Sequence, residues 1–169
     1  MDFFSHGIWN YIFFFKTKKP IYALLFGLVP DSLSWMIYFF YRIFTVGFKH
    51  TGKPDLSIIP DWVFTLYGIS HSLIVAGIII LIIYLVCKKL SKIFPIYVLA
   101  WPIAILMDIP THSRDFLPTP FLWPISEWTF PGFGWGNGKF MITNLILIII
   151  CLTYVIWWRR KNKKRIDKL

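Results

Sequence analysis

His71 and Asp31 are ionisable side chains set inside long apolar runs. In hydrocarbon such a group costs roughly 2.5–3.5 kcal/mol, so it usually has a partner and a role. His6, Asp108 and His112 fall where a multi-pass fold could bring them alongside. Imidazole nitrogens and carboxylate oxygens are ligands suited to zinc, and also to manganese or iron. A catalytic site of that kind keeps one coordination position open for water, whose pKa the ion lowers. Asp108 and His112 are four apart, a spacing that shares one face of a regular helix. Pro110 lies between them and predicts a helix end there instead. Each residue taken singly has a plainer reading. His71 would serve as an interhelical hydrogen-bonding group, Asp31 as an acceptor at a helix break, His6 as an interfacial side chain, and His112 as part of a polar loop with Arg114 and Asp115. Asp115 and Glu127 read as surface acids, or as partners that orient a ligating imidazole. The set of five says more than any member, because four of them interrupt or cap strongly apolar sequence.

The elements that must position these residues are membrane helices. Hydrophobic residues make up 57% of the 169-residue chain and aromatic residues 20%, which excludes an ordinary soluble domain. Several stretches approach the ~20 apolar residues that cross a hydrocarbon core. The first, residues 3–15, is too short to span alone. The second, 21–47, carries Pro30 before Asp31; proline removes a backbone donor and disfavours helix at Val29, which predicts a broken helix. Residues 48–60 form a polar loop with Lys49, His50, Lys53 and Asp55. Residues 61–86 form the clearest span, with Asp61 as its expected N-cap. A fourth segment runs from about Phe94 to Asp108. The stretch 109–139 is long, aromatic and rich in Pro and Gly, which fits a functional loop. Its residues 116–126 supply an aromatic belt or a mouth for an amphipathic molecule. The alternating glycines 132–138 match no phosphate-binding spacing. The last span, about 140–158, ends in the interfacial pair Trp157 and Trp158. The expected fold is therefore all-α: a polytopic helical membrane protein of about five segments, with a short first helix and a broken second one. Residues 1–158 form a single membrane domain, and 159–169 a basic cytoplasmic tail.

The net charge of +10 sits in three clusters: Lys16, Lys18 and Lys19; Lys88, Lys89 and Lys92; and Arg159 through Lys168. Each follows an apolar segment, as expected for loops held in the cytoplasm. That places the N-terminus and the 48–60 and 109–139 loops outside, and the C-terminus inside. His71 then lies ~15 Å below the outer end of its helix. The charge pattern points to anionic lipid headgroups rather than to nucleic acid. No basic region precedes the first apolar segment, so no cleavable signal peptide is expected. Cys87 and Cys151 form no CxxC pair and read as small hydrophobes.

His6, the LVPD of residues 28–31, the SHSL of 70–73, the LMD-type segment of 106–111 and the LWPIS of 122–126 occur in an order that resembles the YbcI/YdjM family. These are bacterial inner-membrane proteins described as membrane-bound metal-dependent hydrolases. The resemblance covers roughly residues 6–126 and implies a helical membrane protein of the plasma (bacterial inner) membrane, distantly related to zinc phospholipase C and P1-type nucleases. The family's polar positions fall on His6, Asp31, His71 and Asp108. One departs: a histidine common in the family, four residues before the last aspartate, is Ala104 here, and His112 offers an imidazole on the other side. The resulting expectation is a metal-dependent hydrolase acting on a phosphoester or other ester of an amphipathic substrate. Its metal, zinc or else manganese or iron, would be held by His6, Asp31, His71, Asp108 and His112. Asp31 and Asp108 are the catalytic candidates, and membrane lipid is the surrounding partner. The alternative is a non-enzymatic lipid-interacting or structural membrane protein whose polar residues form a buried network.

Overall fold

The structure is a computed structural model and describes residues 1–47 and 56–166. Lys49, His50, Lys53 and Asp55, and the last residues of the basic tail, lie outside the described residues. The fold is all-α; among the described residues the nearest approach to a strand is one isolated bridge, Ser113 to Phe116.

Helix α1 spans Phe3–Phe13 and is capped by Asp2, whose carboxylate accepts from Ser5 N at 3.0 Å. Helix α2, Ile21–Gly27, and helix α3, Val29–Val46, meet at a 41° bend. The bend lies just before Pro30, as the missing donor predicts. Past Asp31 the chain widens into a π-turn over Ser32–Met36, where the Ser34 hydroxyl donates to Pro30 O at 3.1 Å. Such turns inside α-helices recur at functional sites. A short 3₁₀ turn, Leu56–Ile58, leads into α4, Asp61–Ser70.

The expected uninterrupted span over 61–86 is not what forms. Helix α4 stops at Ser70, helix α5 runs Leu73–Lys89, and the two are bent by 54°. The freed backbone groups are held from outside the helix. The Trp101 indole donates to Ser70 O at 2.8 Å, and Leu73 N donates to Phe121 O at 3.0 Å. The Ser72 hydroxyl caps α5, accepting from Ile74 N and Val75 N, and donates to Trp123 O. Asp61 is likewise not the N-cap of α4; Pro60 holds that position and Asp61 is the first helical residue.

The fourth segment begins as a 3₁₀ turn, Ile96–Leu99, and continues as α6, Ala100–Thr111. Pro110 lies in its last turn and His112 is its C-cap, so Asp108 and His112 stand at a helix end as the proline predicts. Helix α7, Gly138–Lys161, overruns the expected 140–158 span at both ends and is followed by α8, Lys163–Ile166. The basic tail therefore starts as helix. Arg159 turns back to donate to the carbonyls of Phe15, Thr17 and Lys18.

Two apolar clusters join these elements. Tyr38, Ile59 and Val63 pack with Trp35 and Phe64, and Ala76, Trp101 and Ile105 pack with Val29, Leu73 and Phe121. Outside them much apolar surface is exposed, above all on α7, where Ile142, Leu145, Ile149 and Ile150 are each more than half exposed. Among the described residues one helix, α7, is long and apolar enough to cross a membrane, or up to three spans if each bent pair counts as one.

Candidate functional site

All five ionisable side chains singled out from the sequence meet in one cluster. His6 comes from the first turn of α1, and Asp31 from the residue before the π-turn. His71 stands at the break between α4 and α5. Asp108 and His112 come from the last turn of α6 and its cap. Asp108 is the hub. Its Oδ1 lies 2.9 Å from His6 Nε2 and 3.3 Å from His112 Nδ1, and it accepts from the Met1 amino group. Its Oδ2 lies 3.6 Å from His71 Nε2. Asp31 reaches the same nitrogen of His71 at 3.5 Å through Oδ1, and His6 Nε2 at 4.0 Å through Oδ2. His6, His71 and Asp108 are fully buried, whereas the Asp31 side chain keeps 16% of its surface exposed.

The local sequence explains how His71 comes to face the carboxylates. In SHSL the flanking serines do separate work. Ser72 starts the next helix and ties it to Trp123, while the Ser70 hydroxyl sits 2.9 Å from His71 Nδ1. The Tyr67 ring lies 4.1 Å from the His71 ring, centroid to centroid, and its hydroxyl donates to Leu117 O at 3.0 Å. His112 Nδ1 is shared among Asp108 O at 3.2 Å, the Thr119 hydroxyl at 3.2 Å and the Asp108 carboxylate. That nitrogen is thus committed to holding Asp108 in place.

Gly132 closes the lid above this end of α6. Phe133 N and Trp135 N donate to Pro110 O and Thr111 O at 3.0 and 2.9 Å, and a Cβ at Gly132 would meet Pro110 O and His112 O at 2.5 Å. Beside the cluster a cavity of about 270 Å³ opens between α4 and the 117–129 segment. Leu56, Phe64, Leu117 and Trp123 line it, and Tyr67 forms a wall shared with His71. Glu127 and Ser126 stand among its lining residues.

Among the described residues, no group of three or more His, Cys, Asp or Glu side chains is placed to hold a metal ion together. The donor atoms fit an ion in pairs. His71 Nε2 and Asp108 Oδ2 are buried without a hydrogen-bond partner. Their separation of 3.6 Å, and that of 3.5 Å to Asp31 Oδ1, exceed a normal N–H···O distance. They match the roughly 3.3–3.6 Å imposed on two ligands by tetrahedral bonds of 2.0–2.2 Å to one ion. Ser70, Tyr67 and Thr119 were missed in the sequence; the one available signal was that Ser70 adjoins a histidine in an otherwise apolar run.

No family model, no curated protein and no solved structure matches this chain. The resemblance carried by the PD, SHSL and LWP motifs therefore rests on those residues alone.

Proposed function

We propose that the chain is a membrane-embedded, metal-dependent hydrolase that cleaves a phosphoester or other ester of an amphipathic molecule. The observation carrying this reading is the buried face made by His71 Nε2, Asp108 Oδ2 and Asp31 Oδ1. Two of these atoms lack a hydrogen-bond partner, and His71 Nε2 stands from each carboxylate oxygen at the spacing of two ligands on one ion. Buried polar atoms without partners are rare and call for a role. His6, Asp31, His71 and Asp108 would hold a divalent ion, zinc best matching the donor set, with manganese or iron as alternatives. His112 would complete the set from the far side of Asp108, orienting that carboxylate through Nδ1.

When bound, the ion supplies Lewis acidity that polarises the ester and acidifies water. The remaining work belongs to the chain. Asp108 is fully buried and saturated with donors on one oxygen, which suits a fixed ligand. Asp31 is the carboxylate that retains exposed surface, so it is placed to take the proton of the attacking water and return it to the departing alkoxide. The cavity beyond Tyr67 supports an amphipathic substrate, with its apolar part against Phe64 and Trp123 and its ester toward His71.

The same proposal includes the membrane arrangement. The short α1, the two bent pairs, the 96–111 segment and α7 act as about five membrane segments of the plasma membrane. The N-terminus and the 109–139 loop lie outside, and the basic clusters lie in the cytoplasm. Non-helical backbone at His71 is compatible with that depth because protein groups satisfy it.

A second reading has a specific observation in its favour. The Met1 amino group and His6 already contact Asp108 Oδ1 without any ion, as in a purely structural polar network. Metal content of the purified protein after zinc repletion separates the two. His71→Ala and Asp31→Asn should each abolish near-stoichiometric zinc, and the double mutant should lose no more than either, since a shared site fails at the first missing ligand. Unchanged zinc in well-folded single mutants, or none in the wild type, would sink the hydrolase reading and leave the network.

A further inference from the structure

We infer that Ser70 is a positioning residue: its hydroxyl selects which ring nitrogen of His71 carries the proton, and so couples the imidazole to occupancy of the cluster. The inference rests on the metal-dependent reading above.

A neutral imidazole has one N–H and one lone pair, and the partner of one nitrogen fixes the state of the other. His71 Nδ1 faces the Ser70 hydroxyl at 2.9 Å, both residues being fully buried. That hydroxyl has a second neighbour, Tyr67 O at 3.4 Å, which can only accept. With its proton on Tyr67 O, Ser70 Oγ accepts from His71 Nδ1–H. Nε2 then presents a lone pair to Asp31 Oδ1 and Asp108 Oδ2. A lone pair facing two carboxylates is repulsive unless a cation lies between them, and with a cation it is the ligand geometry that zinc uses. With the hydroxyl proton turned onto Nδ1, Nε2 carries the hydrogen and points it at the carboxylates, which suits the cluster without an ion. The proton count of the ring is the same in both states: one N–H proton leaves Nε2 and one arrives at Nδ1.

The surroundings keep this choice to the hydroxyl. The Trp101 indole pins Ser70 O at 2.8 Å, and the Tyr67 ring lies against the imidazole, so neither backbone nor ring needs to move. A serine serves where an asparagine or a backbone carbonyl would not, because a hydroxyl both donates and accepts at one atom. His112 differs: its Nδ1 also touches Asp108 O and carboxylate, so the Thr119 hydroxyl is one partner among three.

The experiment uses the full chain in lipid nanodiscs, with Zn²⁺ titrated against a chromophoric chelator. Nitrogen-15 spectra of labelled histidine are recorded with and without the ion. In the wild type, zinc should move the His71 proton from Nε2 to Nδ1. Ser70→Ala should bind zinc about 10–100-fold more weakly, the usual loss when the outer partner of a ligating imidazole is removed, and Ser70→Thr should restore affinity. A Ser70→Ala protein that binds zinc like the wild type, or zinc-loaded wild type without a proton on Nδ1, overturns the inference while leaving the metal site standing. Wild type that takes up no zinc overturns both. If Ser70→Ala does not fold, the wild-type spectra decide alone.

Discussion

Asp108 holds three donors on one oxygen and turns the other toward His71, all without exposed surface. Removing it leaves the Met1 amino group and His6 buried without the carboxylate that they bond. Asp108→Ala should therefore cost roughly 3–5 kcal/mol, as loss of one partner of a buried pair does, read as a fall in thermal midpoint in detergent. A stability loss within that of an exposed substitution would show the pairs to be dispensable. The hub and its neighbours were legible in the sequence because an apolar run makes each ionisable group in it conspicuous. The hydroxyls were not. Ser34, Thr45, Thr65, Thr111 and Thr153 each donate to a carbonyl four residues back in their own helix, the ordinary fate of a helical Ser or Thr. The sequence sets Ser70 apart from these only by its place beside His71; that its hydroxyl faces Nδ1 is seen in the structure. Gly132 is similar. It reads as loop flexibility, yet a side chain there collides with two carbonyls at the end of α6. Gly132→Ala should loosen the 132–135 segment and raise amide exchange at Phe133 and Trp135.

The breaks between elements divide into two kinds. The bend before Asp31 is written in Pro30, a residue that changes backbone chemistry wherever it stands. The break at His71 carries no such mark: Ser-His-Ser contains neither Gly nor Pro, and its flanks are apolar. It exists because Trp101, Phe121 and Trp123 take over the hydrogen bonds that the helix gives up. Helix propensity is a weak prior that tertiary partners override. It follows that Ser72→Ala, which removes both the cap of α5 and its tie to Trp123, should cost at least the ~1 kcal/mol of a lost N-cap, measured by thermal unfolding. A neutral effect would mean that the break is set elsewhere. Trp123→Ala should leave zinc content near wild type, since Trp123 packs over Gly68 and lines the cavity rather than the cluster. Loss of metal with the fold intact would join loop and site more closely than the contacts do.

The molecule as a whole is held at its two ends. Asn144, on the buried face of α7 with Ile148 and Val155, donates to Ser5 and accepts from the Trp9 indole, and further along Arg159 clasps the chain just past α1. The all-α class and the order of segments were legible from apolar length alone. The number of crossings was not, because length and composition do not say whether a bent pair traverses or re-enters. The proposed orientation is tested by replacing Cys87 and Cys151 with Ser and placing single cysteines at Glu127 or Lys163. In intact cells an impermeant thiol reagent should label the first and spare the second. The reverse pattern would put the cavity on the cytoplasmic side.

The contact between His6 and Asp108 spans 102 residues of chain. During synthesis at about 5–20 residues per second, the first helix would wait roughly 5–20 s before its counter-charge is even made. For that interval Asp31, 4.0 Å from His6 in the finished fold, is the carboxylate already made for the imidazole to meet. A ribosome stalled before codon 108 would leave a product without Asp108 and without α7, whose first helix is held by its packing on α2.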